Sequence, residues 1–501
     1  MPWDWKTTLW FVCYLPVVVG LTLFGLHRFY IVWLFWKHYR NPPKPAGHFE
    51  SLPLVTVQLP VFNEMHVVRR LVEAVARLDY PQHLLQIQIL DDSTDETVAI
   101  CADEASRLSA LGFDVSHIHR TNREGFKAGA MEHGLLTARG DFVFILDADF
   151  IPQPGVLKDM IDYFTDPKIA LVQSRWGHLN RDYSLLTQVQ AMFLDGHLVV
   201  EQVARSRAGR FFNFNGTAGI WRKAAIIDAG GWEHDTLTED LDLSYRAQMK
   251  GWRFIFLCDL VTPAELPVDV NGFKTQQHRW TKGSIQTCKK MLGPVWRSKQ
   301  PLAIKLEATV HLAINFMNLL LLCQCVVAWP GMGGQFNMGG YRLWLLDLPV
   351  FFFSTVSVAT FYLSSQIAAY PKHWLKHMLY YPMLVAVLVG MAVNNGRAVL
   401  EALFNQESPF VRTPKYGIQG REKAPAAKKN YKSLKSIALG AEITCALYFT
   451  AALISAFLKN YWSSVPFLLL FAAGFWYVAC GSLPQLFPAA RNEDENGPIA
   501  A

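Results

Sequence analysis

The chain has 501 residues, of which 51% are hydrophobic, 13% aromatic and only 18% charged, against roughly 25% charged in an ordinary soluble domain. This balance excludes a disordered chain, a disulfide-stapled mini-protein and a nucleic-acid binder driven by bulk charge. It fits a membrane protein that also carries a sizeable water-soluble part.

The net charge of +6 is a local feature. Between Asn395 and Ser436, nine basic residues (Arg397, Arg412, Lys415, Arg421, Lys423, Lys428, Lys429, Lys432, Lys435) face three acidic ones (Glu401, Glu407, Glu422), so this stretch alone accounts for the excess. None of the eight cysteines forms a CxxC pair. They read as small buried hydrophobes rather than a zinc site or a disulfide framework.

In chain order, Leu9–Trp36 is apolar apart from His27 and Arg28 and is followed by Lys37, His38 and Arg40. It reads as an uncleaved membrane anchor whose C-terminal flank faces the cytosol. Between about residues 50 and 300, apolar β-type runs alternate with helical periodicity. Strands are expected at Leu54–Leu59, Gln86–Leu90, Val115–His119 and Phe142–Leu146, and helices at Val67–Leu78 and Thr94–Leu111, the second opening on a Ser93/Thr94 cap. The alternation implies an α/β domain with a mostly parallel sheet flanked by helices. Ligands of such sheets bind beyond the carboxyl ends of the strands.

Those ends are acidic. Asn63-Glu64 follows the first strand, Asp91-Asp92 the second, and Asp147-Ala148-Asp149 the FVFIL run. Converging carboxylates cost free energy unless a cation joins them, and an oxygen-liking divalent ion such as Mg2+ or Mn2+, arriving with phosphates, would remove that cost. Asp147 and Asp149 share a face if extended, so both can reach one metal. No GxGxxG or P-loop pattern occurs. FVFILDADFI also resembles the opening motif of haloacid-dehalogenase-type phosphatases. Further on, Phe214-Asn215-Gly216-Thr217 begins a small-residue turn suited to close approach of a ligand, and Thr238-Glu239-Asp240 opens a helix that Thr238 can cap. Gln276, Arg279 and Trp280 combine an amide, a guanidinium for phosphate oxygens and an aromatic face for a pyranose.

Four further apolar stretches follow: Ala308–Trp329, Leu348–Ala369, Ile437–Leu458 and Val465–Phe487. The shorter Leu379–Val393 is read as a helix lying in the interface, which keeps the basic stretch cytosolic. His311, Asn315, Asn318 and Gln324 within the first of these stretches are either inter-helix hydrogen-bond glue or a path for a polar solute. Glu442 is read as an interface-facing carboxylate.

The run LPVFNE, LDDSTDET, FKAGA, DADF, LVQSRW, FNGTAGIWR, TEDLDLSYRA, KGW and QQHRW resembles family-2 processive glycosyltransferases. These include cellulose, chitin and hyaluronan synthases, and the run looks closest to the plant cellulose-synthase-like A and C groups. Phe410-Val411-Arg412-Thr413-Pro414-Lys415 is similar to the FxVTxK gating loop of bacterial cellulose synthase, with Arg412 at the usual Val, and TED replaces the VED typical of the plant groups. The resemblance implies a GT-A-like domain inserted between helices of a membrane α-helical bundle. Its boundaries are 1–40 for the anchor, 41–300 for the cytosolic transferase domain, 301–370 for a helix pair, 371–436 for the interfacial helix and gating loop, and 437–501 for a second pair and tail.

It further implies an inverting, processive hexosyltransferase. Such an enzyme would polymerise a β-linked, β-1,4-type hexan (mannan, glucomannan or glucan) from GDP-mannose or UDP-glucose and pass it across a bacterial inner membrane, or a Golgi or plasma membrane. The alternative is a non-processive enzyme making a glycolipid. Carried over by position, Asp240 with Glu239 is catalytic, and Asp91, Asp92, Glu64, Lys127, Asp147, Gln276 and Arg279 bind the donor. Asp149 and Asp147 hold the metal. Trp280, Phe214, Asn215, Gly216 and Thr217 meet the acceptor, and Phe410, Arg412, Thr413 and Lys415 form the gating loop. Partners are then the nucleotide sugar, the growing glycan and the lipid, with no nucleic acid. No C-terminal cyclic-di-GMP-binding module is expected.

Overall fold

The computed structural model describes residues 5–332, 351–407, 412–421 and 438–483. Phe410 and Val411, most of the basic stretch (residues 422–437) and the outer ends of the Leu348–Ala369 and Val465–Phe487 stretches lie outside the described residues.

Seven strands form one sheet: β1 (Val55–Val61), β2 (Leu85–Asp91), β3 (Asp114–His119), β4 (Phe142–Ile145), β5 (Ile169–His178), β6 (Gly219–Arg222) and β7 (Arg253–Ala264). Their order is β3-β2-β1-β4-β6-β5-β7. β3, β2, β1 and β4 run parallel, as do β5 and β7, while β6 is antiparallel to both its neighbours. Sequence reading located the first four strands only. β5, β6 and β7 carry polar or aromatic residues that break the apolar pattern. Because β6 runs backwards, the residues entering it (Asn215–Ala218), and not those leaving it, lie on the edge formed by the carboxyl ends of the other strands.

Both faces of the sheet are covered, as expected for a sheet flanked by helices, and the polar residues that alternate with apolar ones in VTVQL and LQIQIL are therefore inside. Thr56, Gln58 and Gln88 are fully buried and Gln86 nearly so. These side chains are bonded to one another, to the last turn of the helix Phe126–Leu135 and to the chain after it. Thr56 Oγ1 donates to Gln86 Oε1 at 2.8 Å and Gln58 Nε2 to Gln88 Oε1 at 3.0 Å. Gln88 Nε2 donates to Gly134 O at 3.0 Å, and Gln86 Oε1 accepts Arg139 N at 2.8 Å. A polar layer is tolerated inside because its groups are partnered.

Two expected caps are not made. The helix after β2 starts at Thr97, and Asp95 Oδ1 accepts the Thr97 N–H at 3.0 Å, while the Ser93 hydroxyl instead accepts Asn63 N at 2.8 Å. Thr238 precedes the helix Glu239–Met249 without a side-chain cap bond, and its hydroxyl meets that of Thr287 at 3.0 Å.

Among the described residues, four helices are long and apolar enough to cross a membrane: Phe11–His38, Phe351–Ala369, Ala438–Leu458 and Trp462–Ser482. Two further pairs pass the same test only together. Leu302–Ala313 with Phe316–Val327 is bent by 55°, so the expected Ala308–Trp329 span is broken; Trp374–Gly390 with Ala392–Leu403 is bent by 43°. The segment expected to lie flat therefore belongs to a longer, bent pair, a broken span or a re-entrant loop.

Polar side chains in this region hold helices together. His311 Nδ1 pairs with Tyr245 Oη at 2.8 Å, Asn395 donates to Asn318 Oδ1 at 3.4 Å and Gln324 to Tyr14 Oη at 3.4 Å. Glu442 is not interface-facing. It is fully buried and paired with Lys274 Nζ at 2.6 Å, which joins its helix to Val270–Arg297.

Replacing Gln88 by Leu removes the acceptor of the buried Gln58 Nε2 and the donor to the Thr137 hydroxyl, while the Gly134 carbonyl keeps the Thr137 N–H. The expected cost is about 1–3 kcal/mol, read as a thermal unfolding midpoint several degrees lower in detergent.

Candidate active site

The carboxyl edge of the sheet, the helix Glu239–Met249, the helix Val270–Arg297 and segment 412–415 enclose a cleft of about 240 Å³. Of the residues singled out in the sequence, Glu64, Asp92, Lys127, Asp147, Asp149, Asn215, Gly216, Glu239, Asp240, Gln276, Arg279, Trp280, Arg412, Thr413 and Lys415 all line it.

Three expected residues do not reach the cleft surface. Asp91 is fully buried behind it, where His117 Nε2 lies 2.9 Å from Oδ2 and Ser93 N donates to Oδ1 at 2.8 Å. Burial works against its charge, but these bonds outweigh it and hold the carboxyl below the usual range. Phe214 is fully buried, edge-on to Trp221. The buried Thr217 hydroxyl accepts the Asp147 N–H at 2.8 Å and so fixes the end of β4.

Basic groups answer the acids. Asp92 receives a two-pronged bond from Arg120, Nε–Oδ1 2.8 Å and Nη2–Oδ2 2.6 Å. Asp147 is paired with Lys127, which also donates to Gly216 O at 2.9 Å. Lys415 Nζ donates to Asp149 Oδ2 at 2.7 Å. Arg412 forks onto Glu64, Nη2–Oε2 2.6 Å and Nε–Oε1 2.8 Å. Burial nevertheless pushes the Glu64 carboxyl up to about 7, with Arg412 pulling against it.

Glu239 and Asp240 open their helix side by side. Burial raises both carboxyls, and the charge of Glu239 raises Asp240 further, against the Leu241 N–H that donates to Asp240 Oδ1 at 2.8 Å. Lys127 and Arg279 face this pair. Burial lowers the Arg279 guanidinium in spite of its acidic neighbours, whereas for Lys127 the charges of Asp147 and Glu239 overcome burial and raise it.

Gly216 has φ +82°, and a Cβ there would lie 3.0 Å from Asp240 Oδ2 and 3.6 Å from Lys127 Nζ. The small-residue turn is thus required by the approach of Asp240 and Lys127.

Sequence reading missed Arg120, Glu265, Trp176 and the Arg123 guanidinium that stacks on Phe62 with 3.3 Å from Cζ to the ring centroid. Arg120 directly follows β3, an expected strand, whereas Trp176 and Glu265 stand at the carboxyl ends of β5 and β7, so the rule that found the acids finds them once those two strands are known.

The structure supports a test of the Asp91–His117 pair. A carboxyl whose folded value is depressed contributes stability above its unfolded value of about 4, and that contribution is lost as pH falls through the folded value. His117→Ala is expected to cost about 1–3 kcal/mol at pH 7, with the gap to the parent protein closing in unfolding curves taken below about pH 4.

Residues 53–283 match the family model described as Glycosyltransferase like family 2. The chain is 43% identical over 282 residues to glucomannan 4-beta-mannosyltransferase 2 of Arabidopsis thaliana, an alignment covering 54% of this chain and 53% of that protein. It is 39% identical over 289 residues to glucomannan 4-beta-mannosyltransferase 1 of Oryza sativa subsp. japonica, covering 56% and 55%. The chain thus spans about half the length of these relatives. Among solved structures, it is similar to the mannosyltransferase PcManGT from Pyrobaculum calidifontis in complex with GDP-Man and Mn2+, at 20% identity and TM-score 0.55, covering 78% of this chain and 99% of that one. At that identity the likeness speaks for the GT-A-like fold.

Proposed function

We propose, from the premise that residues 53–283 form a family-2 glycosyltransferase domain, that the chain is an inverting membrane hexosyltransferase. In this reading it builds a β-1,4-type mannan or glucomannan from GDP-mannose, with UDP-glucose as the second donor, and passes the product across the membrane with its catalytic domain cytosolic. One observation carries the reading. Asp147, Asp149, Lys127, Glu239, Asp240, Arg279 and Trp280, drawn from four separate segments, face one cleft beside the apolar helices. The names of the plant relatives and of the archaeal neighbour favour mannose as the sugar.

The acceptor hydroxyl attacks the anomeric carbon in line with the departing diphosphate, and Asp240 takes the hydroxyl proton. Its raised carboxyl suits that role, because a base near neutrality accepts a proton in the transition state and gives it up at turnover. Lys127 and Arg279 stabilise charge gathering on the leaving group. Gln276 and Arg279 orient the diphosphate, Asp92 is held ready for the nucleoside by Arg120, and Trp280 offers a face to the growing end. Single displacement inverts the centre and gives the β-linkage.

The donor set fits a divalent ion. Asp147 and Asp149 present hard oxygen ligands to the cleft and already hold ammonium groups. Two carboxylates leave coordination positions for diphosphate oxygens and water. Bound there, Mg2+ or Mn2+ would neutralise diphosphate charge.

Incubating the purified chain with GDP-mannose, GDP-glucose, UDP-glucose and UDP-N-acetylglucosamine plus Mg2+ or Mn2+ is expected to give a polymer from GDP-mannose that a β-1,4-mannanase degrades. A single-sugar lipid product would move the assignment to a glycolipid transferase, and hydrolysis without transfer would remove the transferase reading. Asp240→Asn is expected to lower turnover by at least about 10³-fold while donor affinity, measured by calorimetry, changes less than about threefold. In the parent enzyme, kcat/KM should fall as pH drops through a value well above the ordinary aspartate range.

A further inference from the structure

Segment 412–421 lines the cleft with Arg412, Thr413 and Lys415, and its attachment has two unlike parts. One part is ionic: the Arg412 fork on Glu64, and Lys415 Nζ donating to Asp149 Oδ2 at 2.7 Å. The other part is made by the backbone. The buried Glu265 carboxylate accepts three consecutive main-chain N–H groups, from Tyr416 at 2.9 Å, Gly417 at 2.8 Å and Ile418 at 3.2 Å. Gly417, at φ +75°, turns the chain around that carboxylate, and Arg70 Nη1 donates to its carbonyl at 3.2 Å. Ile418 is buried and Gly420 N donates to Leu179 O at 2.9 Å. Charge-assisted bonds of this kind are roughly twice as strong as neutral ones.

We infer that Glu265 is a positioning residue, the fixed post that carries segment 412–421. Lys415 is its exchangeable tip, and gives up Asp149 when a divalent cation takes the same oxygen. The inference rests on the reading of Asp147 and Asp149 as cation ligands. An ammonium and a dication compete for one carboxylate oxygen, because at such separations the dication repels the ammonium more strongly than the single carboxylate charge attracts it. The Glu265 carboxylate bonds go to main-chain N–H groups, with Arg70 Nη2 at 4.0 Å, so a cation on Asp149 does not compete for them; the one Glu265 group it meets is the main-chain N–H, which donates to Asp149 Oδ2 at 3.2 Å. Lys415 also donates to the Glu265 carbonyl at 2.8 Å, so its ammonium stays tethered after leaving Asp149. The segment therefore stays seated while the charge in front of Asp149 changes.

The test uses the full chain in detergent, without donor. Mn2+ is titrated with the free ion read by electron paramagnetic resonance, and hydrogen exchange is followed in peptides covering 412–421. Lys415→Met is expected to bind Mn2+ at least roughly threefold more tightly than the parent chain, because the ammonium that competes for Asp149 is gone. Glu265→Ala is expected to raise exchange at Tyr416, Gly417 and Ile418 at least about tenfold. Glu265→Gln, which keeps one acceptor oxygen, should fall between, and it carries the test if the alanine variant loses sheet protection. Equal Mn2+ affinity in the parent and Lys415→Met overturns the exchange. Unchanged protection at 416–418 in both Glu265 variants overturns the post. Absence of Mn2+ uptake by both the parent and Lys415→Met overturns the cation reading beneath, and this inference with it.

Discussion

Like-charge crowding governs this cleft. Glu64, Asp92, Asp147, Asp149, Glu239, Asp240 and Glu265 all line it, and buried carboxylates so close together are tolerated only where cations or N–H groups meet them. Each is answered from a different part of the chain. Arg120 follows β3, Lys127 begins the helix after it, Arg279 comes from the helix that leads toward the apolar bundle, and Arg412 and Lys415 come from well over a hundred residues further on. The acids and their partners thereby tie the sheet, the helix Val270–Arg297 and segment 412–421 into one unit.

The sheet topology explains why so many groups reach one edge. Parallel strands all end on the same side, and six of the seven strands deliver their following residues there. The reversed β6 delivers the residues before it, which is how Gly216 comes to lie against Asp240 and Lys127. Helix ends complete the cleft: Glu239 and Asp240 sit on the first turn of theirs, where peptide dipoles favour negative charge and where burial raises both carboxyls.

The acidic pattern was legible in the sequence because each carboxylate directly follows an apolar run, as with Asp147 and Asp149 after FVFIL. Asp91 and Asp92 show the limit of that reading. Adjacent side chains on a strand point to opposite faces, so only Asp92 meets the cleft while Asp91 turns to His117. Thr238 looked like a cap because its residue type and position fit one, but a neighbouring helix offered Thr287 instead. Glu265 was invisible because β7 mixes polar and apolar residues and was not legible as a strand, while Arg120 follows the expected strand Val115–His119 but is not an acid, the residue type that marked the other strand ends. The bends near residues 314–315 and 391 also left no periodicity to read, since hydropathy measures length and not direction.

On the proposed function, the acidic cleft accepts an anionic nucleotide only in company with a divalent cation. Calorimetric titration of GDP into the full chain, with Mn2+ and then with a chelator, tests this most directly. Affinity should fall at least about tenfold when the cation is removed, and fall again on Asp149→Asn in the presence of Mn2+. Equal affinity with and without the cation, unaltered by Asp149→Asn, would contradict it.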